Sequence, residues 1–265
     1  MQVLIIDALN LIRRIYAAQE RPYLQISSDI SDATKAQIIH NTIAAIEQAI
    51  EKLLRTVEPT HGIVVFDGEG KSWRHELYPQ YKAGRSPMPT PLFDGMDKIK
   101  AAIKATGLKI HQQAGQEADD LIGALAQKVA SNQRQATIVS TDKGFLQLLN
   151  DHIRVYDYFG RKYLDQNHVN EKFGVGPLQL VNYWSLVGDS SNNIPGLPGI
   201  GPKSAQDILL QHHSLKEALV SDKLSKKLKE KLQHNLENFK LCRQLVALKL
   251  DIKLGLNLKD IRLNH

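Results

Sequence analysis

Asp7 stands directly after the apolar run Val3-Leu4-Ile5-Ile6, Asp67 directly after Gly62-Ile63-Val64-Val65-Phe66, and Asp142 just beyond Ala136-Thr137-Ile138-Val139-Ser140. Short β-branched runs of this kind, bounded by polar residues or glycine, read as buried strands. In an open parallel sheet the ligand crevice lies outside the carboxyl ends of the strands, so these three acids are expected to converge although far apart in sequence. Gln116-Glu117-Ala118-Asp119-Asp120 adds three more acids where a loop becomes a helix, with Glu117 and Asp120 at i and i+3. Acids in a first helical turn are also favoured by the helix dipole. For Asp120, followed by Leu121 and Ile122, capping or support of a neighbour is as good a reading as direct metal contact. Carboxylates crowded together raise one another's pKa unless a hard cation neutralises them, and an all-oxygen donor set points to magnesium or manganese. A metal so held can activate water and stabilise the charge growing on a phosphodiester.

Cations for the other side of a phosphate come from the stretch 68–91, which mixes Lys71, Arg74, Lys82 and Arg85 with Trp73, Tyr78 and Tyr81 and ends in Pro87, Pro89 and Pro91. Lys82 and Arg85 can pair with phosphate, and Tyr81 can stack on a base. Standing alone, the segment reads equally well as a solvated loop of amphipathic side chains. Further along, Pro195-Gly196-Leu197-Pro198-Gly199-Ile200-Gly201-Pro202-Lys203-Ser204 runs into a helical pattern from Ala205. Glycines let the main chain approach a ligand, and the amides opening the helix point at any anion placed there, which makes a phosphate clamp that reads no base sequence. Gly-Ile-Gly-x-Lys at a helix start is a helix-hairpin-helix signature. It has neither the spacing of a nucleotide P-loop nor the position of a dinucleotide-binding turn after a first strand.

The elements that must position these residues alternate. Strand runs at 3–6, 62–66, 107–110 and 136–140 are separated by helical patterns at 33–57, 93–106 and 118–130, which argues an α/β fold with a central, mainly parallel sheet flanked by helices. The stretch 68–91 is an excursion from that sheet, and 25–32 reads only as a polar loop. After about residue 170 the strand runs fade and a helical part follows, ending in a Lys-rich helix pattern over 221–240. At 265 residues, 42% apolar and 23% charged, the chain can bury a sizeable core as one large unit or two joined ones. A net charge of +6 favours a polyanionic partner. Cys242 is the only cysteine, so internal disulfides and zinc-type Cys/His sites are excluded and a reducing compartment fits. No signal peptide or membrane span is evident, and a soluble cytoplasmic protein is expected.

Several motifs coincide in order along nearly the whole chain: Tyr81-Lys82-Ala83-Gly84-Arg85 with Pro87-Met88-Pro89, Glu117-Ala118-Asp119-Asp120, Ser140-Thr141-Asp142-Lys143, and Gly188-Asp189-Ser190-Ser191-Asn192-Asn193-Ile194-Pro195-Gly196 running into Gly199-Ile200-Gly201-Pro202-Lys203. Together they resemble the bacterial 5′-3′ exonuclease and flap endonuclease family, which includes the N-terminal nuclease domain of DNA polymerase I. The resemblance implies a nuclease core of the PIN-like kind over 1–170, a helical arch over about 68–91, and a helical C-terminal subdomain over 171–265 whose helix-three-turn-helix motif, about 185–210, grips duplex DNA. It implies that Asp7, Asp67, Glu117, Asp119, Asp120, Asp142 and Asp189 occupy acidic catalytic positions, with Asp119, Glu117 and Asp142 nearest magnesium and Asp119 the first choice for direct contact. Lys82 and Arg85 then touch the phosphate being cut. The resemblance further implies a potassium site made by the main-chain carbonyls of Leu186, Val187, Pro195, Leu197 and Ile200, which would help present Gly199, Ile200, Gly201, Pro202, Lys203 and Ser204 to DNA.

Two positions depart from the family pattern: Gly144 and Asn192 stand where typical members carry Asp. Two negative charges are therefore missing from the second of two divalent-metal sites, which is expected to be weakly held. The implied activity is magnesium- or manganese-dependent cleavage of branched, flapped double-stranded DNA by a monomer, without a nucleotide cofactor or membrane, in replication or repair. The alternative is a structure-specific DNA-binding protein with a weakened or inactive nuclease site. A ribonuclease on a similar acidic sheet has no need of the clamp after residue 185, and a dehydrogenase is disfavoured by the placement of the glycines.

Overall fold

The computed structural model describes residues 1–24, 30–212 and 214–263; of the polar loop at 25–32, residues 25–29 lie outside them. Six strands form one sheet, β1 (Gln2–Asp7), β2 (His61–Val65), β3 (Lys109–His111), β4 (Gln135–Val139), β5 (Ile153–Asp157) and β6 (Lys162–Leu164), in the order β3-β2-β1-β4-β5-β6. All neighbours pair in parallel except β5 with β6. The helices are α1 (Ala8–Leu24), α2 (Asp32–Val57), α3 (Trp73–Leu77), α4 (Thr90–Asp94), α5 (Met96–Ala105), α6 (Ala118–Ser131), α7 (Gln166–Phe173), α8 (Leu180–Val187), α9 (Pro202–Gln211), α10 (Leu215–Val220), α11 (Lys226–His234) and α12 (Leu236–Val246).

The period-2 alternation of strand side chains divides the core. Leu4, Ile6 and Val64 point to one face, against α1, α2 and α5; Val3, Ile5, Val65 and Ile138 point to the other, against α6 and the helices after residue 175. On α2 the buried Ile38, Thr42, Ile46, Ala49, Ile50, Leu53 and Val57 recur every three or four residues, and Ser31 Oγ accepts the Thr34 amide at 3.2 Å to start the helix. Glu58, at φ 48°, ends it.

The helical pattern at 93–106 is two helices broken at Gly95. There a Cβ would lie 2.9 Å from the Ile39 side chain, so the chain crosses α2 too closely for any larger residue. The pattern at 221–240 is likewise two helices, α11 opened by the Ser225 hydroxyl accepting the Leu228 amide and closed before Asn235. β5, β6 and α1 are additions to the sequence reading. Among the described residues no helix is long and apolar enough to cross a membrane.

Candidate active site

At the carboxyl edge of the sheet a cleft of about 390 Å³ is lined by Asp7, Asp67, Asp119 and Asp142 together with Arg13, Arg14, Lys82 and Arg85. Each acid is held by local backbone. Asp7 ends β1, where Oδ2 accepts the Ser140 hydroxyl at 2.8 Å and Oδ1 the Asn10 amide at 3.3 Å. Ser140 Oγ in turn accepts the Asp142 amide at 3.0 Å, and Asp142 Oδ1 accepts the Gly144 amide at 2.7 Å. Asp67 accepts the Ala118 amide at 2.8 Å, which fastens the end of β2 to the start of α6. Among the described residues no hydrogen bond reaches the Asp119 carboxylate. Its side chain is 27% exposed and its nearest cation is Lys82 Nζ at 3.9 Å.

Burial, with the nearby Asp142 and Asp67 carboxylates and against hydrogen bonds from Ser140 and Asn10, pushes the Asp7 carboxyl up to about 7. Burial and then the charge of Asp142 raise Asp119 well above the usual carboxylate range; Asp7 and Asp67 add to this and Lys82 opposes it. Burial and mutual repulsion thus make the ionised forms of Asp7 and Asp119 costly, and the all-oxygen donors of the cleft suit a hard divalent ion. Among the described residues no three Asp, Glu, His or Cys side chains close on one point.

A folded-state pKa above the unfolded value of about 3.9 means that protonation of Asp7 favours the fold. That contribution is complete below about pH 4 and is lost as pH rises through about 7. Metal-free protein is expected to lose on the order of 5 °C in melting temperature between about pH 5 and pH 8, and magnesium to restore more at the higher pH, since the ion competes with protons for the same oxygens. Thermal melts with EDTA and with magnesium at both pH values check this.

Glu117 and Asp120 are turned from the cleft into the protein, around Arg74. That arginine is 2% exposed; it donates to Glu117 at 2.6 Å, to both oxygens of Asp120 at 2.8 and 2.7 Å, and to the carbonyls of Leu245 and Ala247 at 2.9 and 2.8 Å. Asp120, fully buried, also accepts Trp73 Nε1 at 2.9 Å and the Lys249 amide at 2.9 Å. Its two oxygens thus accept four hydrogen bonds from Arg74, Trp73 and the Lys249 amide, on the side away from the cleft. Glu117 receives Lys82 Nζ at 2.8 Å. Its burial, which alone would raise its pKa, is outweighed by Lys82 and Arg74, which hold it below the usual range.

Tyr81, expected to stack on a base, is instead 4% exposed. It packs with Ile194, Cys242 and Leu245, and its hydroxyl donates to Glu117 at 3.3 Å. The apolar ring is worth more inside this small core than in water, and burial is available because α12 passes beneath it.

Asp189 lies just past α8, where Oδ1 accepts Lys143 Nζ at 2.7 Å and the Ser191 hydroxyl at 2.7 Å, and Oδ2 accepts Asn192 Nδ2 at 2.7 Å. Burial works against these bonds, but Lys143, Ser191 and Asn192 together hold its pKa down. Gly144 and Asn192, the two departures, border a void of about 30 Å³ that also touches Asp119, Asp142, Lys143 and Asp189. A lysine ammonium thus already balances the acid on that side.

Beyond it the chain doubles back tightly. Leu186 O accepts the Leu197 amide at 2.7 Å, and Gly196, at φ 69°, approaches so closely that a Cβ would lie 2.8 Å from the same oxygen. Val187 ends α8, Pro195 precedes Gly196, and Leu197 O accepts the Ile200 amide at 3.1 Å. Gly199 at φ 68° and Gly201 as N-cap then present exposed Pro202, Lys203 and Ser204 at the start of α9, while Ile200 is buried beneath.

The sequence of residues 2–174 matches the family description 5′-3′ exonuclease, N-terminal resolvase-like domain, and 175–265 matches 5′-3′ exonuclease, C-terminal SAM fold. The chain belongs to the 5′-3′ exonuclease family. It is similar to a flap endonuclease Xni of Pseudoalteromonas translucida, 45% identical over 99% of this chain and 98% of that one. Another flap endonuclease Xni, from Colwellia psychrerythraea, is 46% identical over 98% and 91% of the two chains. A solved T5 5′-exonuclease with bound zinc superposes with a TM-score of 0.75 at 20% identity, covering 94% of this chain and 90% of that one, a likeness that carries the fold.

The sequence reading left out Arg13 and Arg14 of this 5′-3′ exonuclease site, and named Arg74 only as one of the cations of 68–91. Arg74 is the buried counter-ion just described. Arg13 donates to the carbonyls of Ser86 and Pro87 at 3.3 and 3.2 Å, tying α1 to the far end of the excursion. Arg14 donates to Thr141 Oγ1 at 2.7 Å and lies 4.3 Å over the Phe159 ring, beside Asp142. The available signal was Arg13-Arg14 falling one to two helical turns after Asp7 in a chain that turns directly from strand to helix.

Proposed function

We propose that this chain is a structure-specific nuclease that hydrolyses a phosphodiester near the junction of a 5′ flap with duplex DNA, using magnesium or manganese. The observation that carries the reading is the cleft itself, where four acids on separate elements face Lys82, Arg85, Arg13 and Arg14. The family and the flap-endonuclease names of relatives at 45 and 46% identity supply the substrate class. When bound, the divalent ion supplies an activated water and neutralises charge on the phosphate. Asp119 and Asp142 are the residues that would hold it, with Asp7 and Asp67 orienting its waters. Lys82 and Arg85 bind the phosphate oxygens from the arch side, and the low exposure around Lys82 strengthens that attraction. Glu117 orients Lys82, and Asp120 and Asp189 orient Arg74 and Lys143; these three acids act through their partners. A second ion is held weakly, because Lys143 already neutralises Asp189.

Residues 1–170 would cut and 171–265 would grip. The exposed start of α9 binds duplex phosphate through main-chain amides and Lys203. The carbonyls of Leu186, Val187, Pro195, Leu197 and Ile200 suit potassium, since Gly196 lets two backbone segments approach within the space one Cβ would fill. The acting unit in this reading is a monomer. Lys203→Glu is expected to weaken flap and plain duplex binding by about tenfold regardless of sequence and to flatten the salt dependence by one to two units of slope, roughly; fluorescence anisotropy over a salt series reads both.

The function is tested on a panel of DNAs of one sequence, as 5′ flap, blunt duplex and single strand, with magnesium. Product only from the flap, near the junction, is expected; equal cutting of all three would overturn structure specificity. The second reading, a DNA-binding protein with an inactive site, is favoured by the lysines on Glu117 and Asp189 and predicts binding to the flap with no product.

A further inference from the structure

The loop that leads into the phosphate clamp is bonded to the arch through Asn192 and its two neighbours, and the Asn192 side chain is the one that also reaches Asp189. Asn192 Oδ1 accepts Arg85 Nη2 at 2.6 Å while its Nδ2 donates to Asp189 Oδ2 at 2.7 Å, and its main-chain oxygen accepts the Lys82 amide at 2.9 Å. Flanking contacts point the same way: Ser191 O accepts Arg85 Nε at 3.5 Å and Asn193 Nδ2 donates to Gln80 O at 2.8 Å. The far end is rigid, because Asp189 is also held by Lys143 and Ser191. Below the contact, Tyr81 packs on Ile194 from the same loop.

Lys82 sits here at φ 57°, a left-handed backbone that a lysine keeps only where its surroundings over-determine it. The surroundings that do so are the Asn192 carbonyl on its amide and Glu117 on its ammonium. The Asn192 amide serves both ends of this bridge, giving a donor to the Asp189 carboxylate and an acceptor to the Arg85 guanidinium. An aspartate in its place would keep Arg85 but set a second carboxylate against Asp189.

We propose that Asn192 is a positioning residue which latches the arch segment 78–86 to the clamp loop before substrate arrives, so that Lys82 and Arg85 are already aimed into the cleft when duplex is gripped. The role rests on the nuclease reading given above; the latch itself does not. It couples the two halves of the task, since DNA seated on the start of α9 and the cations that meet the scissile phosphate are joined through fewer than a dozen residues of chain.

The test compares wild-type protein with Asn192→Ala and Asn192→Asp. Without metal or DNA, hydrogen exchange of peptides covering 78–86 is expected to be about tenfold faster in both variants, since each loses a charge-assisted bond at the latch, while β1 and β4 stay protected. In cleavage assays of Asn192→Ala, which adds no charge beside the metal site, the flap KM is expected to rise by about three- to tenfold with kcat nearly kept, because bound phosphate can re-order Lys82 and Arg85 once saturated. Exchange unchanged in both variants would overturn the latch. Faster exchange with an unmoved KM would overturn the positioning role. A variant whose sheet also exchanges faster is read through the other one, and loss of sheet protection in both would mean a folding role only, against the proposal. If wild-type protein cuts no flap, the nuclease reading and the positioning role built on it both fall, while exchange still decides the latch.

Discussion

Asp119→Ala is expected to lower flap cleavage by on the order of 10²- to 10³-fold, as for loss of a group that organises charge at the reacting phosphate. Asp119 is the acid in the cleft that accepts no hydrogen bond among the described residues, and burial together with Asp142 already makes its ionised form costly. Removing it therefore has two further effects of opposite sense. Flap binding measured in EDTA should be unchanged or tighter, because a negative charge facing a polyanion is gone. The metal-free variant should melt higher than wild-type protein at about pH 8, because crowding among Asp7, Asp67 and Asp142 is relieved. Single-turnover cleavage, anisotropy and thermal melts read the three. Lost activity with lowered stability and weakened binding would mean instead that Asp119 supports the fold.

Arg74→Met is expected to destabilise the protein by about 3–5 kcal/mol, because Glu117 and Asp120 would remain buried without their counter-ion. A fall of roughly 10 °C or more in melting temperature follows for a chain of this size. Arg74→Lys keeps the charge but not the bidentate fork on Asp120, and its loss should be smaller. Adding Asp120→Asn to Arg74→Met should recover part of the stability, since one of the uncompensated charges is removed. Denaturant melts of the four proteins check the order. Arg74→Met as stable as wild-type would mean that the network around α6 contributes nothing to holding the arch base.

The strand-end acids were legible because one rule of parallel sheets converts position after an apolar run into position in space. Asp7, Asp67 and Asp142 meet at one edge of β1, β2 and β4 for that reason. The choice between Asp119 and Asp120 was not legible from helix pattern alone, and only the family resemblance put Asp119 first. Neighbours on a helix point about 100° apart, so one faces the cleft and the other the interior, and only the tertiary position of Arg74 decides which. Arg74 itself, in a basic excursion of mixed composition, has no mark that separates it from the exposed Arg85; the difference is α12 closing over it from a hundred and more residues away. Tyr81 was misread for the same reason, since aromatic residues beside cations describe a base-stacking platform and a small core equally well. α1 escaped notice because it starts at Ala8 directly after β1, with no turn or cap between them to announce it.

The central claim is metal-dependent hydrolysis at a flap junction, and its most direct test is a time course on 5′-labelled flap DNA with purified protein in magnesium and in EDTA, with binding to the same DNA measured alongside. Product near the junction in magnesium and none in EDTA, with binding in both, is the expected result. Binding in both with no product in either would contradict it, leaving a chain that grips branched DNA through its α9 clamp and does not cut it.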